Sequence, residues 1–192
     1  MTDAASPAGE FDWEAAGRAL SGSCDRLNSV VVLGSDDQHA ARVAIGIARQ
    51  QAKRRPVAIG DLIGDVGPIR DLAPTGDPHG LADVFEYGVS MDRVARRANG
   101  VKNLFVLPTG TFVTNQSEIM ANRRWSKLAA GFAEEQGLLI LVASVDAADI
   151  EALVVQLDGA VMTGHRAPPR LPVARVIGNV AGPAIAPRQT RT

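Results

Sequence analysis

The sequence predicts a three-layer α/β/α domain built on a mainly parallel sheet. Three observations carry that prediction. Short β-branched, apolar runs such as Ser29 to Gly34 (Ser-Val-Val-Val-Leu-Gly) read as strands buried on both faces. Helical stretches lie between these runs, which makes the connections crossovers. Right-handed crossovers then lay the strands parallel and cover both faces of the sheet.

In chain order, residues 1–10 are small, polar and Pro/Gly-containing and read as a loose arm. Phe11 to Leu20 reads as a short helix with Asp12 as its N-cap. After the first strand, His39 to Lys53 is an Ala-rich helix, ended by basic residues and Pro56. Val57 to Gly60 is a second strand, and Asp61 to His79 is a Gly/Pro-rich loop. Leu81 to Tyr87 and Met91 to Ala98 read as helices, Asn103 to Leu107 as a strand, and Gln116 to Glu135 as one long helix. Leu138 to Val142, Gly159 to Thr163 and Val173 to Ile177 are further strands, with a helix at Ala147 to Gln156. The folded domain is thus expected over residues 11–180, with a tail at 181–192 that has no packing pattern.

Composition narrows the function. With 46% hydrophobic and 21% charged residues, the 192-residue chain is globular rather than disordered. A net charge of -1 argues against nucleic-acid binding by bulk charge. Cys24 is the single cysteine, so no intramolecular disulfide forms, and His39, His79 and His165 show no metal-ligand spacing. No apolar run approaches the roughly 18 residues of a membrane helix, and the start lacks a secretory pattern. The expected location is the cytoplasm.

Several stretches resemble a known family. Val30 to Gly34, the loop and helix through Ala48, and Pro56 to Asp61 resemble the opening of MinD/ParA-type P-loop ATPases. The resemblance is nearest to the cytoplasmic tyrosine-kinase domains of bacterial capsule and exopolysaccharide systems. Gly80 to Ser90, Leu104 to Gly110, and Asn115 to Met120 resemble three further segments of that family, in its order. Together these stretches run from Val30 to Thr163.

The resemblance implies a phosphate loop after the first strand, at Asp36, Asp37, Gln38, His39, Ala40, Ala41 and Arg42. A working loop of that kind needs glycines, a lysine for the phosphates and a hydroxyl for magnesium. Here Ala40 takes the lysine position, and Ala41 and Arg42 take the hydroxyl positions. Asp61 matches the aspartate after the second strand, but Ala143 replaces the one after the fourth. The expectation from these positions is a degenerate, non-catalytic scaffold with no cofactor and no metal, so not an enzyme. The family context implies a protein partner in a polysaccharide system, at or near the inner membrane.

Other readings stay open at this point. Asp61 is a vestigial carboxylate or, more simply, a loop or capping residue; with Asp65 it is a weak metal pair against hydrated loop charges. Arg93, Arg96 and Arg97 on one helix, and Arg123 with Arg124, are candidate anion or partner contacts against a solvated face. Through them and Arg42, a different nucleotide such as a cyclic dinucleotide is the alternative ligand, and a homo-oligomeric structural protein is the third reading. Glu14 with Arg18 faintly echoes the relatives' ring-forming helix, or is a plain i,i+4 pair. A homodimer is expected to avoid the acidic phosphate-loop face, or to pair Arg42 with Asp36 or Asp37.

Overall fold

The computed structural model describes residues 11–110, 116–164 and 175–183. The arm at 1–10 and most of the tail at 181–192 lie outside the described residues. The strands β1 (Ser29–Gly34), β2 (Val57–Asp61), β3 (Arg96–Arg97), β4 (Leu104–Leu107), β5 (Leu138–Ser144), β6 (Gly159–Thr163) and β7 (Val176–Val180) form one sheet in the order β3-β4-β2-β5-β1-β6-β7. Only β3 runs antiparallel to its neighbour.

Two helical layers enclose the sheet. The helices α1 (Trp13–Leu20), α2 (Asp37–Gln51) and α3 (Gly67–Arg70) pack on one face. The helices α4 (Leu81–Tyr87), α5 (Met91–Val94), α6 (Gln116–Met120), α7 (Arg124–Glu134) and α8 (Ile150–Val154) lie on the other. Alternation along β1 feeds both layers: Val30 and Val32 join the first core, Val31 and Leu33 the second. Both sets are fully buried, which is why β1 reads as an unbroken apolar run.

Helix α1 begins at Asp12, whose Oδ1 accepts the Ala15 N–H at 2.8 Å. It lies directly on α2. A Cβ on Gly17 would stand 2.1 Å from the Val43 carbonyl oxygen, and one on Gly46 would stand 2.1 Å from that of Glu14. The two helices touch backbone to backbone through this reciprocal pair. Glu14 pairs with Arg18 as the i,i+4 reading expects and also accepts Arg49 Nη1 at 2.7 Å, which pins α1 to α2.

Four expectations are corrected. The Asp61 to His79 loop contains α3, which starts Gly67-Pro68, a favourable proline position in the first turn. The helix expected at Met91 to Ala98 stops at Val94, because Arg96 and Arg97 pair with Val106 and Phe105 across a turn holding Asn99 and Gly100. Gly100 there has φ +71°, which glycine adopts without strain. The long helix expected over Gln116 to Glu135 breaks into α6 and α7: Asn122 Oδ1 accepts the Arg124 N–H at 3.0 Å, a local bond that competes with the helix. The last strand lies at Val176–Val180, where it pairs with β6, rather than at Val173 to Ile177; residues 165–174 are outside the described residues.

The glycines give a paired test of this packing. Gly17→Ala should lower stability in urea unfolding by about 1–3 kcal/mol, because the methyl meets backbone that cannot yield. Gly131, inside α7, has nothing within 4 Å of a Cβ position, so Gly131→Ala should instead raise the midpoint. Equal midpoints for Gly17→Ala and the parent would contradict the close crossing.

Candidate functional site

The C-terminal ends of β1, β2 and β4 are where open α/β sheets place ligands. At the end of β1 only Ser35 and Asp36 separate the strand from α2. Asp36 is the N-cap: its Oδ1 accepts the His39 N–H at 2.9 Å. The helix end that attracts anions is therefore supplied with a carboxylate from its own chain. Asp37 lies beside it, and burial pushes its carboxyl above the ordinary value, with repulsion from Asp36 and Asp61 adding to the effect.

The remaining residues of the segment diverge. Ala40 and Ala41 are fully buried in the core beneath the loop. A Cβ on Gly34 would stand 2.2 Å from Thr163 Oγ1 and 3.2 Å from the Ala40 Cβ, so strand end and helix are in close contact there. His39 stacks on Trp13 with ring centroids 4.1 Å apart. Gln38 and the exposed Arg42 line a concavity shared with Glu14, Arg49 and Asp71, between α1 and α3. Ala143 is buried in β5 opposite Leu33.

Asp61, at the end of β2, is 2% exposed. Its Oδ1 accepts the N–H groups of Ile63 at 2.8 Å and Gly64 at 3.1 Å, and its Oδ2 accepts that of Val66 at 2.7 Å. The carboxylate thereby folds the 62–66 loop around itself. Thr109 Oγ1 donates to the Asp61 carbonyl at 3.1 Å and accepts the Asp65 N–H at 3.2 Å, which ties the ends of β2 and β4 together.

A cleft of about 430 Å³ opens beside this loop. Its lining comes from the Asp61 loop and from three stretches that the sequence shows as separate motifs: Leu81 and Ala82, Thr109 and Gly110, and Gln116, Ile119 and Met120. Gly80 and Gly110 make the convergence feasible, since a Cβ on Gly80 would stand 2.2 Å from the Pro108 carbonyl oxygen. Asp83, buried, accepts the Gly80 N–H at 2.8 Å and caps α4. Gln116 Nε2 donates to the Leu62 carbonyl at 2.8 Å and closes the cleft's edge. The cleft was not read from the sequence. The signal that was present is the recurrence of three family-like motifs, each ending near a strand or helix terminus.

The arginine clusters are not single patches. Arg93 lies on α5, while Arg96 and Arg97 occupy the two-residue strand β3, whose successive side chains face opposite ways. Arg93 Nε donates to Asp77 Oδ2 at 3.0 Å and Arg96 donates to the Asp77 carbonyl. Arg97 sits over the Phe105 ring. Arg124 Nη1 donates to the Val84 carbonyl at 2.9 Å and covers Phe85, while Arg123 is exposed at the start of α7. Asp77 also bonds the His79 backbone N–H and ring, and these bonds with Arg93 hold its carboxyl well below the usual carboxylate range. Cys24 is buried, and desolvation pushes its thiol up to about 11, outside the range of a reactive thiolate.

Among the described residues no cluster of His, Cys, Asp or Glu is arranged to hold a metal ion, and no helix is long and apolar enough to cross a membrane. The fold class implies a nucleoside triphosphate with magnesium in the loop after β1. The residues present do not fit it there: the cap position is taken by the Asp36 carboxylate, Asp37 adds a second carboxyl that the charges of Asp36 and Asp61 repel, and Ala40 and Ala41 are sealed in the core.

No protein-family model matches the chain, and no curated protein sequence matches it. Solved structures do. The kinase domain of VpsO superposes with a TM-score of 0.70 at 12% identity, covering 90% of this chain and 96% of its own. The kinase domain of the Escherichia coli tyrosine kinase ETK gives 0.66 at 15% identity, covering 88% and 71%. A ParA family ATPase from Chlorobium tepidum gives 0.53 at 12% identity, covering 73% and 61%. The chain therefore has the P-loop ATPase-like fold of bacterial tyrosine-kinase domains. These neighbours are kinases and an ATPase, which are enzymes, and this overturns the expectation that the chain is not an enzyme. Ala40, Ala41 and Ala143 stand at three positions where the resemblance implies a lysine, a hydroxyl and a carboxylate.

Two substitutions test the site. Asp61→Ala strands three backbone N–H groups and should cost about 2–4 kcal/mol in urea unfolding; a loss below about 0.5 kcal/mol would mean the loop does not depend on the carboxylate. Asp77 has a depressed pKa in the folded chain. Its contribution is thus present above the unfolded value near pH 4 and is lost as pH falls below it. Asp77→Asn should flatten that acid limb in a stability-versus-pH series; an unchanged limb would show that the His79 and Arg93 bonds do not form.

Proposed function

We infer that the chain is a kinase-fold component of a cell-envelope polysaccharide synthesis or secretion system. It works at the cytoplasmic face of the inner membrane and engages a protein partner through the cleft beside Asp61. A fold hosts many functions, so the reading rests on the site. The observation that carries it is the convergence of Leu81, Thr109, Gln116 and their neighbours, all within stretches resembling the tyrosine kinases of such systems, on a single cleft. The likeness in fold to the kinase domains of VpsO and ETK supports the same reading.

The cleft suits a side chain of a polypeptide. Leu62, Leu81, Ile119 and Met120 give it apolar walls, and Asp65, Thr109 and Gln116 give it a polar mouth. That mixture of apolar lining with a few placed polar groups is the common form of a recognition pocket.

The test is a gene deletion with complementation, read as cell-surface polysaccharide. Deletion should lower exported polysaccharide and the parent gene should restore it. Gln116→Trp, at an exposed position on the cleft wall, should fail to restore it while the purified variant keeps its helical circular-dichroism spectrum. Unchanged polysaccharide in the deletion would sink the pathway assignment. Full rescue by Gln116→Trp would sink the role of the cleft.

A further inference from the structure

A second concavity, of about 530 Å³ and sharing no lining residue with this cleft, lies between α5 and α7. Its walls are apolar: Met91, Ala95, Phe105, Leu107, Leu128 and Phe132 line it. It exists because α5 ends at Val94 and the chain turns into β3, so β4 and β2 lack a full covering helix on this face. Strands of a parallel sheet are normally covered on both faces. Asp92, Glu134 and Glu135 stand at its rim, with Lys127 as the one basic group among the lining residues.

Two local choices in α7 oppose the helix itself. Gly131 lies mid-helix, where glycine is disfavoured, yet a Cβ there would meet nothing within 4 Å. Nothing inside the described chain requires a glycine at that position. Glu134 and Glu135 lie at the C-terminal end of α7, where the helix dipole disfavours negative charge, and neither makes an ion pair among the described residues. All three residues line the same groove.

We propose that this groove docks an amphipathic helix of a partner protein, with apolar anchors on one face and Lys or Arg flanking them. The apolar floor takes the anchors, Gly131 lets the partner backbone approach α7, and the basic flanks neutralise Asp92, Glu134 and Glu135. A strand is a poorer occupant, because the edge of β4 nearest the groove is already paired with β3. The site is separate from the Asp61 cleft, so the proposal goes beyond the assignment to a polysaccharide system.

The test uses the full chain and two synthetic probes: an amphipathic leucine/lysine helix and its leucine/glutamate counterpart. Amide chemical shifts and calorimetry report binding. The lysine probe should bind at least about tenfold more tightly than the glutamate probe, weaken with salt, and shift amides of α5, α7 and β4. Gly131→Trp fills the groove while improving helix propensity, and should weaken the lysine probe about tenfold or more. The double variant Glu134→Lys with Glu135→Lys should reverse the preference between probes. The proposal is overturned if the lysine probe shifts a different face, if neither variant changes affinity, or if the parent self-associates and Gly131→Trp makes it monomeric, since the occupant is then a second copy.

Discussion

The C-terminal edge of the sheet depends on the buried carboxylate of Asp61. Three backbone N–H groups, from Ile63, Gly64 and Val66, converge on its two oxygens. A buried carboxylate is costly unless bonded, and here the bonds come from the loop that follows it. The loop's path is therefore fixed by the charge at its start. Asp65 is held at φ +56° and offers its N–H to Thr109, which in turn bonds the Asp61 carbonyl. The cleft is the space left when that bonded loop, the Gly80–Ala82 turn and α6 meet.

The same device recurs around the molecule. Asp36 caps α2, Asp83 caps the start of α4, and Asp158 accepts the N–H groups of Asn28 and Ser29 ahead of β1. The starts of α2 and α4 near the site, and the start of β1 at the opposite end of the sheet, are each closed by a carboxylate from the chain. In P-loop relatives the resemblance implies glycines and a lysine after β1, a cradle open to phosphate. Here the segment after β1 closes on itself through Asp36, and Asp37, raised by burial and by the charges of Asp36 and Asp61, adds further negative character. The open concavity at this edge of the sheet lies instead at the ends of β2 and β4.

Much of this was legible in the sequence. The β-branched runs gave β1 and β6 to the residue, and the Asp12 cap marked the start of α1 within the expected helix. The three-layer parallel architecture followed from the alternation of such runs with helices. What was missed has physical causes. Asn99-Gly100 is a strong hairpin signal, and it outweighs the helical reading of Met91 to Ala98 because pairing with β4 satisfies the backbone of an edge. The break between α6 and α7 turns on a single side-chain bond from Asn122 and on the Trp125 indole donating to the Ile119 carbonyl at 2.7 Å. Neither alters hydrophobic periodicity, so periodicity could not reveal it. Asp61 was visible as a carboxylate at a strand end, but its three bonds depend on a loop conformation that no local pattern encodes.

The two helical layers differ in how their glycines are packed. On the α1–α2 side, Gly17 and Gly46 are demanded by contact within the chain, and each sits where a methyl would strike backbone. On the other side Gly131 has open space, and the acidic end of α7 has no ion pair among the described residues. The same residue type thus serves a closed interface in one layer and an open surface in the other. The difference traces to one topological event. When the chain after α5 joins the sheet as β3, it protects the edge of β4 but gives up the helical turns that would have covered its face. Edge protection and face coverage compete for the same few residues, and the groove is where the first requirement prevailed.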